Sequence, residues 1–362
     1  MAAQVLALAL ALSTLLAQAV PTTAGQGWQK GFTLWGRPAN YASALSLQAM
    51  QQLKTTGANS VGLVVAWYVL DGKTAALRPG WNTPNDQDLV AAIEQAHGLG
   101  LDIVLHLHVD ALDGSWRGNL DPPDKQGLFA AYDYFVHRYA KLAQANGVRG
   151  LVIGSELVKL TGPKYTQRWL QIIADARKNF NGFITYGAEW GGAAPEVKDD
   201  PLREYAQVQF WPALDYIGIA AYFELAPSPG DRPTMPQLLA RWAAWRKLRL
   251  DPLQAKYDKP LLFTEVGYRS TQGAAARPWD STLADGIDLQ GQADLYGALL
   301  QTWAGVPWFK GVYFWFWSTE PNQGGLLDQD YPPQNKPALQ QIVRAFGGVL
   351  PQPIAPLAGS QN

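Results

Sequence analysis

Two glutamates each close a short apolar run: Leu151-Val152-Ile153-Gly154-Ser155-Glu156 and Leu261-Leu262-Phe263-Thr264-Glu265. Each run reads as a buried strand with a carboxylate at its C-terminal end. A lone carboxylate is costly there unless it is paired or hydrogen-bonded. Two of them, on a chain with 15 Trp and 15 Tyr, suggest hydrolysis of a glycosidic bond. That chemistry needs one carboxyl as acid and a second as base or nucleophile. Indole faces suit the C–H faces of sugars, although a Trp-rich core is the plainer reading of the same composition.

The elements that would carry these glutamates alternate between strand-like and helix-like segments. Strand patterns fall at 31–36, 60–67, 101–109, 150–156, 182–187, 214–222, 260–265 and 311–317. Helical periodicity runs over 43–56, 86–98, 127–146, 166–179, 235–248, 290–304 and 336–346. Such alternation implies parallel strands with crossover helices. Eight units imply an α/β fold of the closed (β/α)₈ TIM-barrel type, with an open doubly wound sheet as the alternative. No glycine-rich phosphate loop follows the first strand, which weighs against that alternative.

In a (β/α)₈ barrel the active site lies at the C-terminal ends of the strands. This rule selects His106, His108, Asp110, Glu156, Glu189, Trp190, Tyr222, Glu224, Glu265, Tyr268, Arg269, Trp315 and Trp317, and Trp35 and Trp67 join them as substrate-binding candidates. Strands four and seven stand nearly opposite each other on a ring of eight, so Glu156 and Glu265 are placed to flank one bond. The plainer alternatives are a salt bridge or helix cap for Glu156 and a bridge to Arg269 for Glu265. Period-two alternation puts His106 and His108 on one face, and Trp315 and Trp317 on another shared face. Two histidines on a strand are a possible start of a metal site, but no third ligand is evident, so no metal and no cofactor are expected. Asp328 and Asp330 lie in a Gly-rich loop, where a sugar or cation contact competes with simple solvation.

Composition narrows the partners. The 362 residues carry a formal net charge of −1 and no cysteine. No nucleic-acid or anionic-membrane partner is implied by charge, and disulfides and thiolate metal sites are excluded. Val5 to Val20 is nearly all Ala, Leu and Val, and closes on Ala17-Gln18-Ala19. Residues 1–24 are therefore expected to be a secretory signal peptide and short leader, giving a periplasmic or secreted protein. Residues 25–350 are expected to form one catalytic domain, and 351–362 a loose tail. A monomer with no membrane contact after leader removal is expected.

Several segments then resemble one family, glycoside hydrolase family 113. They are His108-Val109-Asp110 with Trp116-Arg117-Gly118, Gly154-Ser155-Glu156-Leu157, Phe210-Trp211, Leu214 to Ile219 with Ala221-Tyr222-Phe223, and Thr264-Glu265-Val266-Gly267-Tyr268-Arg269-Ser270. Phe314-Trp315-Phe316-Trp317, the Gly324-Gly325 loop and Pro333 to Ala338 complete the pattern. The match runs in order across nearly the whole mature chain.

The resemblance implies a retaining endo-β-1,4-mannanase acting on mannan, glucomannan or manno-oligosaccharides. On it, Glu156 is the acid/base and Glu265 the nucleophile, while His108, Tyr222, Trp315 and Trp317 line the reacting sugar; Trp116 and Arg117 join the substrate-binding set. Three positions depart from expectation: Ser155 replaces the Asn common before the acid/base, Glu189 an expected Asn, and His106 an expected Lys. The rival readings are a related retaining β-glycosidase on another β-glycan, and a secreted carbohydrate-binding barrel without turnover.

Overall fold

A computed structural model describes residue 25 and residues 27–352. The expected leader, and the expected tail from residue 353 onward, lie outside the described residues. Eight strands form the frame: β1 (Gln29–Trp35), β2 (Ser60–Val69), β3 (Asp102–Ala111), β4 (Gly150–Ser155), β5 (Phe183–Glu189), β6 (Ile217–Ala220), β7 (Leu261–Val266) and β8 (Phe309–Ser318). Neighbours in this order pair in parallel, and β8 pairs with β1, closing the ring. The architecture is the expected (β/α)₈ barrel. A two-residue strand, Arg78–Pro79, runs antiparallel to the end of β2.

The outer layer contains α1 (Ala44–Thr55), α2 (Asp86–Gly98), α3 (Lys125–Ala145), α4 (Thr166–Arg177), α5 (Glu204–Gln207), α6 (Met235–Trp245), α7 (Asp251–Tyr257), α8 (Leu289–Trp303) and α9 (Ala338–Phe346). Their starts are set by side chains that accept orphan backbone N–H groups. Ser43, Asn85, Asp124 and Asp288 each do so for the residue three positions on. The helical region expected at 235–248 runs past that end, because a wider π turn (Arg246–Leu250) carries α6 into α7, where Pro252 sits at the start. Proline lacks an N–H and is tolerated only in a first turn. Between β5 and β6 the only α-helix among the described residues is the single turn α5, too short to show periodicity in the sequence.

Both faces of the barrel strands are buried, so they read as nearly continuous apolar runs. On β3, Ile103, Leu105, Leu107 and Val109 pack toward the helices, and Val104 packs inward with Val152, Leu262 and Tyr313 as the barrel floor. Val64, Ala66 and Tyr68 pack with Trp35 and Trp315 nearer the mouth. His106 lies between these layers, fully buried, with its ring 5.1 Å from that of Tyr313. Gly62 opposite makes the room: a Cβ there would stand 2.8 Å from His106 Nε2. Among the described residues, no helix is long and apolar enough to cross a membrane.

Candidate active site

Strict alternation would not bring the key side chains into the mouth together. Three strands carry an extra residue near their C-terminal ends. On β4 the pairing jumps from Val152↔Thr185 to Ser155↔Gly187. On β7 it jumps from Ile219↔Phe263 to Ala220↔Glu265, and on β8 from Thr33↔Trp315 to Leu34↔Trp317. Such bulges re-aim side chains and are common at barrel rims. Here they turn Ser155 and Glu265 inward after their inward-facing predecessors Val152 and Thr264.

Glu265 is 5% exposed and held on both oxygens. Ser155 Oγ–H donates to its Oε1 at 3.1 Å, His108 Nε2 lies 3.1 Å from the same atom, and Tyr222 O–H donates to Oε2 at 3.4 Å. Arg117 Nη1 is 3.1 Å from His108 Nδ1. A guanidinium only donates, so Nδ1 accepts and the imidazole proton sits on Nε2, the ring nitrogen beside Glu265. Arg117 is anchored in turn by Asp110, at 2.6 Å. Burial pushes Glu265 upward, but the neighbouring His108 side chain and the positive charge of Arg117 more than offset it. Its carboxyl is held below the ordinary glutamate range, hence ionised.

Glu156 has the opposite surroundings. It follows β4 with a left-handed backbone, φ 55°, a conformation costing a non-glycine residue on the order of 1 kcal/mol and frequent at functional sites. Its N–H donates to Gly187 O at 2.9 Å, and Trp116 Nε1–H donates to its Oε2 at 3.4 Å. Burial, then the charge of Glu265, raises Glu156 above its ordinary value, against the pull of Arg117, Glu189 and Trp116. One carboxyl is thus biased toward its protonated form and the other toward its ionised form, the contrast that an acid and a nucleophile require.

Aromatic rings form the walls. Trp315 lies nearly parallel to His108 (centroids 6.1 Å, 14°) and 5.4 Å from Trp35. Trp190 meets Tyr222 edge-on at 5.5 Å. A cleft of about 460 Å³ opens beside this group, lined by Trp35, Arg37, Asn40, Trp315, Glu320 and Tyr331 among others.

The structure therefore brings together Glu156, Glu265, His108, Asp110, Trp116, Arg117, Glu189, Trp190, Tyr222, Trp35 and Trp315, with His106 beneath them. Three of the sequence-selected aromatic residues are elsewhere. Trp67 faces the helices, stacked on Phe135 of α3 at 4.8 Å and donating to Tyr139. Tyr268 is fully buried against Tyr296 of α8. Trp317 packs on Phe32 at 5.0 Å in the helix-facing core, because the β8 bulge at Phe316 ends the face it would have shared with Trp315. Arg269 turns to Asp330 rather than Glu265. Asp328 is not a solvated loop residue: it pairs at 2.6 Å with buried Lys336, which also donates to Ser270 Oγ and Asp330 O.

Tyr68, Tyr331 and Glu204 were not singled out from the sequence. Tyr331 sits 6.3 Å from Tyr222. Glu204 of α5 is 1% exposed and accepts from Thr161 O–H (2.5 Å), Tyr186 O–H (2.8 Å) and Glu189 N–H (2.8 Å). Tyr186 O–H itself accepts from Leu157 N–H at 2.6 Å, fixing the segment after Glu156. An acidic residue in an isolated four-residue turn gives no pattern by which to find it.

Comparison with known proteins follows the same lines. The model of glycoside hydrolase family 113 matches residues 30–336. A β-mannanase of that family from Alicyclobacillus acidocaldarius, solved in complex with ManMIm, superposes with a TM-score of 0.77 at 26% identity, over 89% of this chain and 97% of that one. A second solved β-1,4-mannanase of the family gives 0.76 at 24%, over 89% and 99%. A β-glucuronidase from Ruminococcus gnavus shares the fold alone, at 14% identity and 0.57, over 88% of this chain and 50% of that one. No curated protein matches the chain. With the barrel, the ordered motifs and the family match in agreement, the chain is a glycoside hydrolase and belongs to glycoside hydrolase family 113.

Proposed function

We propose that the protein is a retaining endo-β-1,4-mannanase, cleaving mannan, glucomannan or manno-oligosaccharides by double displacement. The observation that carries the mechanism is the opposed setting of two strand-end glutamates, Glu265 among His108, Arg117 and Ser155, and Glu156 among acids. The choice of mannan is supported by the solved mannanases this chain resembles.

In the first step a Glu265 oxygen attacks the anomeric carbon, the glycosidic C–O bond breaks, and Glu156 gives its proton to the departing oxygen. In the second, Glu156 takes a proton from water, the water oxygen attacks the same carbon, and the bond to Glu265 breaks. Ser155, His108 and Tyr222 hold the nucleophile in place and favour its ionised form. Trp315 and Trp35 supply a flat apolar surface for the reacting sugar. Nothing in this cycle calls on a cofactor. The apolar N-terminal run makes this an exported enzyme.

The test is incubation with mannohexaose, with products resolved by chromatography and their anomeric form followed by NMR. Internal cleavage with β-product appearing first is expected. Cleavage only of another β-glycan in a parallel panel would redirect the substrate, α-product first would overturn the retaining mechanism, and inertness on all would leave a binding barrel.

A further inference from the structure

We propose that Glu189 is kept as a neutral carboxylic acid that donates a hydrogen bond to Glu156, making it a positioning residue that sets the proton affinity of the acid/base. The proposal rests on the acid/base assignment of Glu156 above.

Glu189 ends β5 and is 2% exposed. Its backbone is pinned by the N–H bond to Glu204 Oε2 at 2.8 Å. Its carboxyl meets that of Glu156 within hydrogen-bonding reach, and its Oε2 is buried with no donor supplied to it. The groups facing it are Glu156 from β4, Glu204 from α5 and Asp200 from the loop before α5, all acidic. The nearby cation, Arg203, is occupied by Asp200 and by the carbonyls of Ala193, Ala194 and Val197. Among the described residues Glu189 has no ion-pair partner, and no three acidic or imidazole groups are arranged to hold a metal ion.

Two touching carboxyls in such a setting cannot both ionise, and one proton must stay between them. Their other neighbours decide where. Glu156 has Trp116 N–H on its Oε2 and the positive charge of Arg117 close by. Glu189 has only acids, and burial followed by the Glu156 charge drives it well above the ordinary range. The last proton held by the pair therefore rests on Glu189, whose O–H points at Glu156, while Glu156 at rest carries a second proton of its own. When Glu156 gives its own proton to the leaving oxygen, the new carboxylate is met by a donor already in place. When Glu156 takes a proton from water, that donor is released. Glu189 keeps its proton through both steps.

The sign of a pH shift tests this. The basic limb of kcat/KM reports loss of the Glu156 proton. A neutral donor lowers Glu156, so Glu189→Leu should move that limb upward by about one pH unit, whereas Glu189→Gln, which retains an N–H donor, should leave it in place. If Glu189 were ionised, both variants would remove a repulsion and move the limb down. A downward shift in either variant, or an unmoved limb in Glu189→Leu, overturns the proposal. Infrared spectroscopy of the wild-type protein at pH 7.5 gives a readout without turnover. A protonated-carboxyl carbonyl band that vanishes in Glu189→Gln is expected, and its absence from the wild type overturns the proposal. This arm stands even when every glycan proves inert, so failure of the glycosidase reading and failure of the Glu189 reading are told apart.

Discussion

The β3–β7 side of the barrel mouth and the β4–β5 side surround their glutamates differently. On the first, His108, backed by Arg117, and two hydroxyl donors converge on Glu265. On the second, Glu156, Glu189 and Glu204 stand together with few compensating groups. The same side chain, delivered by the same kind of strand end, is thereby driven to opposite protonation states. A glutamate's role is set by what surrounds it, and here the two surroundings are built from different strands.

The largest effect should come from exchanging the roles. Glu265→Ala should lower turnover on the order of 10⁵-fold, as expected for loss of a nucleophile. Glu156→Ala should lose roughly 10²–10⁴-fold. Azide should rescue Glu156→Ala on an activated aryl glycoside to a β-glycosyl azide, and Glu265→Ala only to the α-azide. Wild-type rates in either variant, or the reverse azide stereochemistry, would exchange or remove the assignments.

A smaller effect should follow from weakening the basic side. Glu265 must be ionised to attack, so the acid limb of activity follows its pKa, which His108 helps depress. His108→Ala removes that donor and should raise the acid limb by about one pH unit, with roughly tenfold lower kcat/KM below it. An unmoved limb would show that Ser155 and Arg117 suffice without the imidazole.

The smallest effect should be on stability from the acidic side. Burial pushes Glu204 up to about 7, against the pull of Glu189 N–H, Thr161 and Tyr186. A group whose folded pKa is raised stabilises the fold fully below its unfolded value and loses that contribution as pH climbs through the folded one. The wild-type thermal midpoint should therefore fall by a few degrees from pH 5 to pH 8, and Glu204→Gln should flatten that slope. Equal slopes would show that Glu204 keeps its proton state across the range.

Much of this was legible in the chain. All eight strands and the two glutamates were found by pattern, because parallel strands buried on both faces give apolar runs that end abruptly where the chain turns out to the loops. The plain barrel rule also found His108, Trp190, Tyr222 and Trp315. It failed for Trp67 because a strand-end position does not say which face a side chain takes on regularly paired β2, and for Tyr268 and Trp317 because a bulge earlier on β7 and β8 shifts the count. It passed over Glu204 because a four-residue helix has no period.

Local pattern by itself thus determines the order of strands and helices and the strand-end placement of the two glutamates, since each depends on residues within one segment, and the count of eight units gives the barrel class. Which way Glu265 and Ser155 point, and which of the two glutamates favours a proton, depends on bulges, and on partners 33 to 157 residues distant in sequence, such as Glu189 and Arg117 for Glu156 and His108 for Glu265. Electrostatic coupling acts through space at a few ångströms, and only closure of the ring brings those groups within that range.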